Sequence, residues 1–200
     1  MIQRARAGPV TFGEFVEVIQ DDEKADLIDG VIHVASPENI EHNDLVSWLT
    51  TILRLFVEQC RLGRVMVNKV AFRLADKTAP EPDVAFVRAG RERIIKPGYV
   101  DGPPDLAIEI VSPDSAERDY GEKRVRYETA QVLEYWIIDP EQRRATFYGL
   151  EPTGFVDLQP VEHVFRSRVL PGFALDTRWL WQRPLPDTLP IVQGLLESAK

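Results

Sequence analysis

The sequence predicts an α/β (α+β) domain in which helices flank a mixed central β-sheet, preceded by an N-terminal helix and hairpin. Three observations carry that expectation. Apolar residues recur at helical spacing from Asn39 to about Arg61. Four runs, R-V-M-V-N-K-V-A-F-R-L (64–74), P-D-V-A-F-V (82–87), D-L-A-I-E-I-V (105–111) and E-Y-W-I-I-D (134–139), have the apolar, β-branched and aromatic content of strands. The order helix, strand, strand, strand, helix, strand then specifies the class. The 200 residues, 44% of them hydrophobic, suffice for a single domain spanning 1–200, with a core at about 11–175 and a C-terminal extension at about 176–200.

The elements follow in chain order. Thr11 with Glu14 three residues later is the capping-box pattern, so a helix begins at T-F-G-E-F-V-E-V-I-Q. Two short apolar runs around Asp29-Gly30 in A-D-L-I-D-G-V-I-H-V predict a hairpin. From Leu45 to Cys60 an apolar stripe predicts the longest helix, lying across the sheet, with the single cysteine Cys60 as packing. Residues 64–74 read as one long strand, and 88–104, with Arg88, Arg91, Arg93 and Lys96 among Gly and Pro, as an exposed basic loop. After the strand at 105–111, Asp114 or Ser115 caps a helix running to about Gln131. D-P-E-Q-R turns the strand 134–139 into its hairpin partner R-A-T-F-Y-G, and weaker strands are expected near 154–159 and 162–169. The final 25 residues are expected to form an edge helix or a partner contact.

Composition narrows the function. A formal charge of −8 argues against coating nucleic acid by bulk electrostatics, while still allowing a local basic patch. No apolar run reaches the roughly 18 residues that span a bilayer, and M-I-Q-R-A-R-A-G-P lacks the apolar core of a signal peptide. The expectation is a soluble cytoplasmic protein with no membrane partner.

The chemistry concentrates around Glu109, an acid within an apolar strand. Alternation puts Asp105, Ala107, Glu109 and Val111 on one face, read as the polar, site-facing one, and Leu106, Ile108 and Ile110 on the other. If the strand that begins at Asp83 pairs with it, the two carboxylates point at one spot, where they repel unless a cation lies between them. On a wheel of about 100° per residue, Ala116, Tyr120, Lys123, Tyr127 and Ala130 share one stripe, which places Lys123 toward the sheet with Asp119 one turn before it. Spacing alone leaves two readings open: a structural ion pair of Glu109 with Lys123, or a site for Mg²⁺ or Mn²⁺.

Taken together, E-P-D-V-A-F-V, P-P-D-L-A-I-E-I-V-S-P, R-D-Y-G-E-K-x₃-Y and L-E-Y-W-I-I-D-P resemble the Uma-two endonuclease family of the restriction-endonuclease-like, PD-(D/E)XK superfamily, over roughly residues 11–175. The resemblance implies a restriction-endonuclease-like core and a Mg²⁺-dependent (or Mn²⁺-dependent) endonuclease acting on DNA as a homodimer. Asp83 matches the first acid of the signature and Glu109 the second, with the backbone carbonyl of Ile110 as a further metal ligand. Val111 stands where the signature has its lysine, a role the resemblance moves onto Lys123. Asp26, where relatives commonly carry Glu, and His42, Asp119 and Tyr127 are the implied supporting residues. Arg88, Arg91, Arg93, Lys96, Arg118 and Arg124 are the candidate phosphate contacts. The competing function is a catalytically inactive binding or assembly module that keeps the fold.

Overall fold

The computed structural model describes residues 8–19, 23–36 and 39–198. Residues 1–7, where a signal peptide is not expected, lie outside the described residues. Helix α1 (Phe12–Val18) starts on the expected capping box: Glu14 N–H donates to Thr11 Oγ1 and Thr11 N–H to Glu14 Oε2. Strands β1 (Ala25–Ile28) and β2 (Val31–Val34) form the expected hairpin. Both turn residues, Asp29 and Gly30, have positive φ, the geometry whose twist matches a two-residue hairpin. A Cβ on Gly30 would lie 2.5 Å from Pro9 Cβ, so glycine is required there.

Helix α2 (Ile40–Gln59) is capped by Asn39, whose side chain accepts the His42 N–H at 2.8 Å. Cys60 follows it, half-buried against the core. The chain continues through β3 (Gly63–Val67), β4 (Ala71–Phe72), β5 (Val84–Arg88), β6 (Ile95–Lys96), β7 (Tyr99–Val100) and β8 (Leu106–Ile110). Helix α3 (Arg124–Thr129) precedes β9 (Glu134–Asp139), β10 (Arg144–Glu151) and β11 (Gly154–Asp157). Strands β12 (Val164–Arg166) and β13 (Ala174–Asp176) pair with each other, and α4 (Thr188–Ser198) ends the described chain.

The central sheet has the order β11-β10-β9-β8-β5-β3 and is mixed: β8 and β9 are parallel across the α3 connection, and every other neighbour is antiparallel. Leu106, Ile108 and Ile110 face the cluster under α2, with Leu49, Ile52, Phe56 and Trp136. Ala107 and Val111 face a second cluster with Tyr127, Tyr135 and Ile137 under α3. Both faces of the sheet are therefore covered, as a strand parallel to its neighbour requires. The expectation of a polar face around Glu109 is corrected accordingly: Glu109 is 2% exposed among apolar and aromatic neighbours.

Two further expectations are revised. The run 64–74 breaks after Val67, because Asn68 and Lys69 adopt positive φ and the chain leaves the central sheet for a small sheet of order β4-β7-β6. The polar pair Asn68-Lys69 between the apolar runs 65–67 and 70–72 marks the break. Residues 88–104 hold a short 3₁₀ turn and two short strands rather than an open loop. The helix expected after β8 is present and unbroken over 116–129, with a π-helical stretch at Arg118–Lys123 that leads into α3 and Tyr135 OH donating to Asp119 O at 2.9 Å. The C-terminal residues pack on α2 as an edge helix, burying Val192 and Leu195 in the main core, and Trp48 Nε1 donates to Pro186 O. Among the described residues no helix is long and apolar enough to cross a membrane.

Candidate active site between the hairpin and the central sheet

The pairing of β5 with β8 places the two acids. Val84 lies opposite Ile108, so one step further Asp83 stands opposite Glu109, and Pro82 opposite Ile110. Proline has no N–H, so the ladder cannot continue. The Asp83 side chain replaces it, Oδ2 accepting the Ile110 N–H at 2.7 Å. Asp83 and Glu109 are 1% and 2% exposed.

Each acid is met by a lysine. Lys123 Nζ lies 3.0 Å from Glu109 Oε1, 2.9 Å from Asp26 Oδ2 and 3.5 Å from Asp119 Oδ1. Tyr127 OH donates to the same Glu109 Oε1 at 2.9 Å. Lys24, just before β1, pairs with Asp83 Oδ1, and His42 Nε2 lies 3.3 Å from Asp83 Oδ2. Asp26 is tied to the sheet side as well, since Glu81 N–H donates to its Oδ1 at 2.8 Å, while Glu81 Oε2 accepts the Ala25 N–H at 3.1 Å. These two bonds clamp the hairpin onto the segment before β5, and with it the side chains that complete the site. At the rim, Ser36 Oγ donates to Asp114 Oδ2 at 2.6 Å.

The structure thus brings Asp83, Glu109, Lys123, Asp26, His42, Asp119 and Tyr127 together. The π-turn explains why Asp119 joins them: its wider turn carries Asp119 inward, 1% exposed, where a regular wheel leaves it at the flank of the stripe. Arg118, named as a phosphate contact, lies largely buried in the wall of this pocket, with Nη1 donating to Asp114 O. Arg88 and Arg91 lie at the other end of the strands. Both pair with Asp105, at 3.2 and 2.8 Å, and Arg88 N–H also donates to it. Asp105 is four residues before Glu109, about 13 Å along a strand. Arg93 and Lys96 lie in that same segment, Lys96 Nζ donating to Arg93 O. Arg124, partly buried on α3, lies over the Tyr148 ring.

Lys24 and Glu81 were not among the residues singled out from sequence. Glu81 was visible in the motif E-P-D as a neighbour of Asp83, but for Lys24 no spacing signal exists.

Burial opposes every charge here, and the partners decide which survive. Burial pushes the Asp83 carboxyl up, but Lys24 and His42 outweigh it and hold the group well below the usual carboxylate range. Glu109 goes the other way: burial raises it to about 8, with Asp119, Asp83 and Asp26 adding repulsion that Lys123 only partly offsets. Burial likewise raises Glu81 to about 7. Lys123 is held well above its usual value, since Asp26, Glu109 and Asp119 overcome the burial that would lower it.

A mixed sheet carrying opposed carboxylates on adjacent strands, with a lysine from the next helix, defines a protein of the nuclease fold. Its structure is similar to that of "a putative nuclease belonging to DUF820" from Anabaena variabilis, with a TM-score of 0.70, 19% identity, and coverage of 86% of this chain and 98% of that one. The family model described as "Uma2: Putative restriction endonuclease" matches residues 12–178, and the chain belongs to that family. None of the curated proteins matches the chain.

Proposed function

We propose that this protein is a divalent-metal-dependent endonuclease that hydrolyses phosphodiester bonds in DNA, with Mg²⁺ or Mn²⁺ held by Asp83, Glu109 and the Ile110 carbonyl. The observation that carries the reading is the excess of buried carboxylate. The buried Asp26, Asp83, Glu109 and Asp119 line one pocket, with the exposed Asp114 at its rim, against Lys24, Arg118 and Lys123, so carboxylates outnumber cations there. Burial first, and then repulsion from Asp119, Asp83 and Asp26, raise Glu109 to about 8. Hard oxygen donors of this kind suit Mg²⁺ and Mn²⁺ rather than softer metals. Among the described residues no group of three His, Cys, Asp or Glu converges as a metal cage, and the proposal adds a main-chain oxygen to the two carboxylates. The Ile110 carbonyl is the proposed oxygen, because its register partner Pro82 has no N–H to offer it.

A cation bound there would polarise the scissile phosphate and lower the pKa of attacking water. The chain's own residues do the rest. Tyr127 and Lys123 orient Glu109 through Oε1, and Lys123 supplies fixed positive charge beside the reacting phosphate. The clamp of Asp26 and Glu81 holds the hairpin over the sheet, which keeps bulk water from the carboxylates. Cleavage of both strands of a duplex would need two such sites, hence a homodimer.

The deciding experiment is cleavage of single-stranded, duplex and branched DNA with Mn²⁺, Mg²⁺ and EDTA. The expected result is nicking that requires metal and is lost in Glu109→Gln. Equal cleavage by that variant, or no Mn²⁺ binding by the wild type, would favour the inactive binding module.

A further inference from the structure

Two lysines reach the carboxylate pair, and their surroundings differ. Lys123 is 3% exposed and bracketed by Asp26, Glu109 and Asp119 within 3.5 Å. Moving it toward a substrate would strand three buried carboxylates at once. Lys24 belongs to the hairpin side of the site, is 16% exposed, and lines the pocket together with Val34, Ala35 and Ser36 of the same hairpin. Its ammonium takes Asp83 Oδ1. The other oxygen, Oδ2, accepts the Ile110 N–H at 2.7 Å and has His42 Nε2 at 3.3 Å. Oδ1 is therefore the oxygen an incoming cation would take, and Lys24 stands on it.

We propose that Lys24 is an exchangeable cation: it neutralises Asp83 in the metal-free protein, yields Oδ1 to a divalent metal, and turns its ammonium to a non-bridging oxygen of the substrate phosphate. The inference rests on the nuclease reading above and goes beyond it by dividing labour between the lysines. The ammonium and a metal would occupy the same place on Asp83 Oδ1, so the two cations compete for that oxygen. The flexible four-carbon stem and three rotatable donors of lysine suit a change of partner, as a planar guanidinium would not. Lys123, in its carboxylate bracket, stays as the fixed charge. The phosphate-facing lysine is then the one beside the hairpin, just before β1.

The test is isothermal titration of Mn²⁺ into the full chain, without DNA, for wild type, Lys24→Met and Lys24→Arg. Removing the competitor should tighten Mn²⁺ binding at least tenfold in Lys24→Met, and Lys24→Arg should bind no more tightly than wild type. In Mn²⁺-dependent cleavage, kcat/KM of Lys24→Met should fall at least tenfold even at saturating metal. Should Lys24→Met fail to fold, Lys24→Gln carries the same expected rise in affinity. Unchanged or weaker Mn²⁺ binding in the variant, with binding intact in wild type, makes Lys24 a structural ion pair and overturns the inference alone. No Mn²⁺ binding by the wild type overturns the metal reading, and this inference with it.

Discussion

The Ile110 N–H donates to Asp83 Oδ2 at 2.7 Å, so a side chain takes up the ladder where Pro82 ends it. That bond orients the first acid of the site and holds the ends of β5 and β8 together. It leaves Glu109, directly across the register, as the acid whose charge the fold least satisfies.

Glu109→Gln is expected to lower metal-dependent cleavage by at least about 100-fold, more than loss of a typical supporting group around a metal. The same variant should change the pH dependence of stability. Glu109 is raised from an ordinary 4.5 to about 8, so the folded state holds its proton more tightly than the unfolded chain. Its contribution is fully present below about 4.5 and is lost as pH rises to about 8. In EDTA, the wild type should therefore lose Tm between pH 5 and 8 more steeply than the variant. Parallel Tm curves would rule out a protonated Glu109 in the metal-free protein.

Mn²⁺ affinity should itself depend on pH, because a ligand must lose its proton to bind. Below about 8, where Glu109 is protonated, affinity is expected to climb, and above that value to level off. With one proton released per metal the slope is about tenfold per pH unit. Calorimetry from pH 6 to 9, in buffers of differing ionisation enthalpy, measures both slope and proton count; a flat profile removes Glu109 from the ligand set.

Lys123→Met strips the cation shared by Asp26, Glu109 and Asp119. Breaking a buried ionic cluster from one side costs about 3–5 kcal/mol, since the stranded charges stay buried. Urea unfolding reads that loss directly. Cleavage by the folded fraction should fall about 10²–10³-fold, the usual effect of removing a positioned charge stabiliser.

Arg91→Ala tests the opposite end of the sheet. Asp105 is wholly buried and accepts from Arg88 and Arg91, so losing one partner should destabilise the protein by about 1–3 kcal/mol. If these arginines serve the fold, KM for DNA and its salt dependence stay at wild-type values. A raised KM with unchanged unfolding would instead make them phosphate contacts.

Much of this was legible in the sequence because it is local. The capping box at Thr11 and Glu14, the hairpin at Asp29-Gly30 and the long stripe of α2 each depend on neighbours within one or two turns. Asp83, Glu109 and Lys123 also emerged, because alternation in a strand and periodicity in a helix state which way a side chain points. The positive φ at Asn68 and Lys69 and the π-helical stretch at Arg118–Lys123 did not, since side-chain polarity does not specify such local backbone changes.

What the sequence by itself determined is the order of elements and the acids and lysine that face the sheet. What only the tertiary structure decided is who partners whom. Lys24 meets Asp83 across 59 residues, Glu81 takes the Ala25 N–H across 56, and Arg88 and Arg91 both reach the buried Asp105. A buried charge takes the nearest opposite charge that the packed elements supply, and local patterns carry no record of that distance.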